Sequence, residues 1–123
     1  MEHKIESLED KIESLNEEVE QAKGKQKEGF NYIIHVREFK NLNQNIYKIG
    51  RTKSITKRFR QYPKGSLLLH CRKSNDDAES EALMLHQLKN LFIHRQDLGR
   101  EYFEGDFDEL KEEFDKIVQL FQN

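Results

Sequence analysis

The sequence predicts an α/β (α+β) fold: a small three-stranded antiparallel sheet flanked by helices, with a coiled-coil helix at the N-terminus. Three observations carry this. Short apolar stretches rich in β-branched and aromatic residues, "FNYIIHV" (30–36), "IYKIG" (46–50) and "SLLLHCR" (66–72), are separated by polar or glycine-containing connections. Two later stretches, "DDAESEALMLHQLKNLFIHR" and "DFDELKEEFDKIVQLF", return apolar residues at helical spacing. The first 28 residues follow a narrower heptad pattern.

In that opening segment Ile5, Leu8, Ile12, Leu15, Val19 and Ala22 occupy a, d, a, d, a and d, and nothing else there is strongly apolar. A stripe this narrow suits a coiled-coil seam better than a globular core face, and β-branched residues at a with Leu at d favour two parallel strands. The flanks agree: Lys4 (g) would face Glu9 (e) of a partner, and Glu18 (g) would face Lys23 (e). The helix is about 30 Å long, near the minimum for independent stability. "GKQKEG" (24–29) ends it or forms a hinge, because glycine is costly inside a helix. The expected organisation is therefore a coiled-coil oligomerisation helix and hinge over 1–28 and one globular domain over 29–123, with a homo-oligomer, a parallel dimer through residues 4–23, as a partner of itself.

Within the globular part, Tyr32, Ile34 and Val36 share one side of the first strand. "REFKNLNQN" reads as a polar connection to the second strand, which ends at Gly50. In "TKSITKRFRQY", Ser54 or Thr52 caps a helix whose inner side carries Ile55, Phe59 and Tyr62, stopped by Pro63 and Gly65. "SLLLHCR" is apolar throughout its middle and is expected to be central or well covered. The next helix starts from Asp76 or Asp77, with Ala78, Leu85, Leu88 and Phe92 as its inward stripe and Ala82, Leu83 and Leu91 close by. "DLGREYFEGD" is a turn with a short extended piece at Tyr102 and Phe103, and the closing helix turns Phe107, Leu110, Phe114, Ile117, Val118 and Phe121 inward.

Charge is partitioned. Of the 123 residues, 36% are charged and 35% hydrophobic, and the net charge of -2 hides eleven basic side chains against one acid from Arg37 to Lys73, then five against thirteen from Ser74 onward. A basic face of this kind favours phosphate backbones, and "IYKIGRTKSITKRF" (46–59) is its densest part. Cys71 is the single cysteine, which excludes an intrachain disulfide and a cysteine-ligated structural zinc and fits an intracellular, reducing compartment. No apolar run approaches the roughly 20 residues that span a bilayer, and no signal-like segment opens the chain, so no membrane is expected as a partner.

"NYIIHV" followed by "IYKIGRT" and then Arg58 resembles the two-part signature of the GIY-YIG nuclease superfamily, most of all its phage and large-DNA-virus branch with a YKIGRT second motif. "QYPKGS" (61–66), "SEALMLHQLKNLF" (80–92) and "LGREYFEGD" (98–106) are similar to the same branch, in the same order, so the resemblance spans 29–106. It implies a GIY-YIG-like fold and a DNA endonuclease that hydrolyses phosphodiester bonds with Mg²⁺ or Mn²⁺. It also implies a site of Tyr32, Tyr47, Arg58 and Glu81, with Glu81 as metal ligand and Gly50 as the structural glycine of the second motif. DNA is the implied partner, and the host cytoplasm or nucleus is the implied location if the chain is viral. The first motif departs from the family, with Asn31-Tyr32 in place of Ile-Tyr.

Chemistry supports the same residues. Phosphodiester hydrolysis needs an activated water, positive charge over the non-bridging oxygens and help for the leaving oxygen. Tyrosines beside Lys48, Arg51 and Arg58 would be biased toward phenolate. One carboxylate plus water is a credible Mg²⁺ set. Lys48, Arg51, Lys53, Lys57, Arg60 and Lys64 are the expected DNA-binding residues, contacting phosphates more than bases. Lys48 alternates with Tyr47 and Ile49, so one set faces the site and the other the core. Structural readings stand beside these: Tyr32 and Tyr47 as a cross-strand aromatic pair, Arg58 as a surface arginine, Glu81 as a first-turn helix acid. Two other functions remain open: a catalytically weak or inactive DNA-binding module of a larger viral protein, and a structural domain whose business is oligomerisation.

Overall fold

A computed structural model describes residues 27–122, so the expected coiled coil over 4–23 lies outside the described residues. The element order is β1 (Gly29–His35), α1 (Arg37–Asn41), β2 (Ile46–Thr52), α2 (Ile55–Phe59), β3 (Leu67–Ser74), α3 (Asp77–Leu91), β4 (Ile93–His94), β5 (Tyr102–Glu104) and α4 (Phe107–Gln119). The sheet has five strands, not three, in the order β3-β1-β2-β5-β4, and every pairing is antiparallel. The two additional strands are only two and three residues long, too short for an alternation pattern to announce them. The "REFKNLNQN" connection contains the short helix α1, which puts Phe39 against the sheet.

Each face of the sheet has its own core. Ile33, Tyr47, Ile49 and Phe103 meet Met84 and Leu88 of α3 and Leu110, Phe114, Ile117 and Val118 of α4. On the opposite face Tyr32, Ile34 and Val36 pack with Phe39, Ile55, Phe59, Tyr62 and Tyr102. The second cluster rests on α1 and α2, whose few turns cover only part of that face. Asp76 and Asp106 cap α3 and α4 through Glu79 N and Glu109 N, and Ser54 caps α2 through Lys57 N.

Two expectations about the core are corrected. β3 is an edge strand, with Leu67 and Leu68 substantially exposed, because an apolar run does not reveal how many neighbours a strand has. On α3 the inner side is Asp77, Ser80, Glu81, Met84 and Leu88; Ala78, Ala82 and Leu91 are exposed. The polar members of that face explain the rotation. Asn31, at the start of β1, donates from Nδ2 to Asp77 O at 3.1 Å and accepts from Ser80 Oγ, which also meets Ser74 Oγ at 3.0 Å. A buried hydrogen-bonded network therefore docks the first turns of α3 where periodicity expected apolar residues. Gly29 belongs to the same contact, since a Cβ there would stand 2.6 Å from Asp77 Oδ1.

Candidate active site

The register of β1 and β2 builds the site. Tyr32 lies opposite Gly50 and Ile34 opposite Lys48, so Lys48 and Gly50 share the Tyr32 face. Tyr47 and Ile49 point to the other face. Tyr32 and Tyr47 are thus on opposite sides of the sheet, and neither the convergence of both hydroxyls on one cleft nor a cross-strand tyrosine pair occurs. Tyr47 packs 5.4 Å from the Phe107 ring and 4.8 Å from His35, and its hydroxyl reaches only Asn45 Oδ1 at 3.5 Å. The motif placed the tyrosine one residue from where the pleat needs it, and Lys48 stands on the site face.

Gly50 is required by Tyr32. A Cβ at residue 50 would overlap Cζ and the hydroxyl of Tyr32 and lie 2.8 Å from Cε1. The ring therefore crosses the backbone of β2 and brings its hydroxyl to the edge of that strand. This edge is open: β5 pairs with β2 only over Ile46–Lys48, and the last bond is from Ile49 N to Glu101 O at 2.9 Å.

Around that edge several ionisable groups gather. The Tyr32 and Tyr62 hydroxyls are 2.6 Å apart with their rings edge to face. The Lys48 ammonium sits 4.9 Å from the Tyr62 ring centre and 4.0 Å from Glu101. Arg58, from the last turn of α2, keeps a buried Nε without an acceptor. Glu81 comes from α3, 5% exposed, with Oε2 receiving no donor and Oε1 3.6 Å from Arg51 Nε, beyond ordinary hydrogen-bond length. Glu101 is the acidic group that acts on it most strongly.

These groups shift one another. Burial pushes the Glu81 carboxyl up to about 8, reinforced by Glu101 and opposed by Arg51 and Arg100. Burial also raises the Tyr32 phenol; the Tyr62 hydrogen bond and Arg58 oppose it, while Glu101 and Glu81 add to it. Tyr62 rises for the same first reason. The expected bias toward phenolate is therefore reversed, because burial outweighs the neighbouring cations. Burial lowers the Lys48 amine against the pull of Glu101.

Four residues forecast from sequence thus take these positions: Tyr32, Arg58 and Glu81 come together, and Tyr47 does not join them. Glu101, Tyr62 and Lys48 complete the cluster. Of these, Lys48 was expected on the DNA surface and Tyr62 in the core. Glu101 and Glu104 flank "YF" as the two acids within reach of the sheet's open end, and no local pattern says that Glu101 is the one that gets there.

The expected DNA-binding residues also separate. Lys57, Arg60 and Lys64 are exposed and make no ion pair among the described residues. Lys53 is committed to the fully buried Asp77 at 2.5 Å, and Arg51 lies 3.6 Å from the same carboxylate. Both basic residues of "RTK" therefore help seat α3. His35 and His70 are likewise occupied, His35 with Gln44 O and His70 with Asp115 at 2.6 Å against the Phe114 ring.

Among the described residues no group of three or more His, Cys, Asp or Glu side chains forms an all-protein metal cage, and no helix is long and apolar enough to cross a membrane. The five-stranded antiparallel sheet flanked by helices is broadly consistent with a GIY-YIG-like arrangement. The chain belongs to the T5orf172 domain family, a GIY-YIG-related nuclease family, which matches residues 29–118. That span holds the whole sheet, α1 to α3 and all but the last residue of α4. No curated protein and no solved structure matches the chain.

Proposed function

We propose that the domain over 29–123 is a divalent-metal-dependent DNA endonuclease of GIY-YIG type, from the phage and large-DNA-virus branch of that superfamily. The observation that carries this reading is Glu81: a buried carboxyl whose Oε2 has no donor, beside a second carboxyl, Glu101, and within electrostatic reach of Tyr32. Family membership supports it independently.

Two carboxylates, one of them without a donor, fit Mg²⁺ or Mn²⁺, hard cations that accept one or two protein carboxylates and complete their shell with water and phosphate. Glu81 would hold the ion, with Glu101 beside it. Once bound, the ion supplies positive charge over the phosphate oxygens and at the leaving oxygen.

The chain's own groups divide the remaining work. Arg58 offers its unpartnered Nε–H to a non-bridging phosphate oxygen, where negative charge grows in the transition state. Tyr32 keeps its proton and, paired with Tyr62, orients the attacking water. The water's proton leaves toward Glu101, which the Lys48 ammonium holds at 4.0 Å. Lys57, Arg60 and Lys64 hold phosphates along α2 and the turn after it. Residues 4–23 join two copies in parallel, which presents two such sites to one DNA.

The raised phenols favour a second reading, a catalytically weak module that binds DNA without cutting it. Nicking of supercoiled plasmid with Mg²⁺ or Mn²⁺, wild type beside Glu81→Ala, separates the two.

A further inference from the structure

Three of the residues that periodicity assigned to or near the inner side of α3, Ala78, Ala82 and Leu85, line an open groove of about 420 Å³, within the size range of ligand clefts. Leu88, by contrast, is in the core and Phe92 packs against it. Ala78, Ala82 and Leu85 form the floor of the groove. Their spacing, continued by His86 and Lys89, follows one face of the helix. Arg51, His86, Lys89 and Arg100 surround that floor, and neither Lys89 nor Arg100 has an ion pair among the described residues. Glu81, whose buried Oε2 lacks a donor, closes one end.

We propose that this groove binds the sugar-phosphate backbone of the DNA strand on one side of the scissile phosphate. The inference rests on the nuclease reading, because Glu81 is what joins the groove to the reaction. Two guanidinium groups and one ammonium, with one imidazole, complement successive phosphates. The two alanines, one helical turn apart, leave room that a longer side chain would take, so a deoxyribose can approach the helix. The surface is separate from the exposed Lys57, Arg60 and Lys64 of α2 and the turn after it, and together the two give the strand an entry and an exit across the Tyr32–Glu81 centre. The groove floor is apolar, so the polar contacts come from the surrounding basic side chains and go to phosphates.

Fluorescence anisotropy of a labelled duplex with the full chain, in EDTA and over a salt series, tests it. Lys89→Ala should weaken binding and reduce the slope of log K against log salt by about 1, the loss of one phosphate contact. Ala82→Phe, which fills the groove from an exposed position, should weaken binding about tenfold, with Lys111→Ala on the exposed side of α4 as a control that changes nothing. Wild-type affinity and wild-type salt slope in both groove variants, or no binding by the wild-type chain, would overturn the groove. Weakened binding in the variants with no nicking by the wild type would uphold the groove and remove the nuclease reading. Nicking by the wild type with unaltered binding in the variants would do the reverse.

Discussion

Tyr32 lies across Gly50, with its ring where any Cβ on residue 50 would have to be. One glycine thereby decides where the hydroxyl of a buried tyrosine emerges. Gly50→Ala should cost about 1–3 kcal/mol through overpacking and displace the hydroxyl from Tyr62. Tyr32→Phe should not rescue the variant, because ring carbons clash as well as the hydroxyl. Thermal melts of the single and double variants check this; full recovery in the double variant would place the conflict at the hydroxyl alone.

The two motif tyrosines should behave differently. Tyr32→Phe removes one half of the 2.6 Å hydroxyl pair and should lower the cleavage rate by about 10²–10⁴. Tyr47→Phe removes only a 3.5 Å contact to Asn45 and should leave cleavage near the wild-type rate. Tyr47→Ala should instead destabilise by about 3–5 kcal/mol, since the ring is part of the α3–α4 core. Rates and melting temperatures for the three variants separate catalysis from packing.

Stability should fall as pH rises. The Glu81 carboxyl ionises near 8 in the folded protein, against an ordinary value of 4.5, so between those values the folded state holds more protons than the unfolded state. The slope from this group approaches about 1.4 kcal/mol lost per pH unit inside that window. Below pH 4.5 the contribution is complete, and it is gone above about 8. Glu81→Gln should flatten the decline, and Mg²⁺ should stabilise the wild type more at pH 8 than at pH 5, because binding requires the carboxylate. Denaturant melts across the pH range give the slopes.

Removing residues 1–24 should leave a folded monomer, because the a/d series and both g-to-e pairs lie within 4–23. Sedimentation of the full and shortened chains decides it. The same oligomer from both would assign assembly to another surface.

Much of the fold could be read from the sequence, and the misses have a common physical origin. Strands with an aromatic or β-branched pattern, such as 30–36 and 46–50, and the strongly amphipathic closing helix were legible because a single period describes them. β4 and β5 were too short for any period, and β3 was apolar without being central. In α3 the buried face is partly polar: Asp77, Ser80 and Glu81 are inside because Lys53, Asn31 and the site need them there. A hydrophobicity pattern cannot express that demand, so it favoured the alanines that line the groove. The candidate site followed the same rule. Tyr32, Arg58 and Glu81 entered the candidate site through the family resemblance, whereas the choice between Tyr47 and Lys48 depended on which way the pleat turned. Glu101 depended on where β5 stops pairing with β2.

The central claim is that the Glu81-centred cluster cuts DNA rather than merely holding it. Single-turnover nicking of supercoiled plasmid, at protein concentrations that saturate the DNA, tests it most directly when wild type and Glu81→Ala are compared with Mg²⁺ and with EDTA. Wild type should convert the plasmid to the nicked form only with the metal. Glu81→Ala should bind the same DNA almost as tightly and leave it intact. Equal nicking by both proteins, or none by the wild type despite saturated binding, would contradict the assignment.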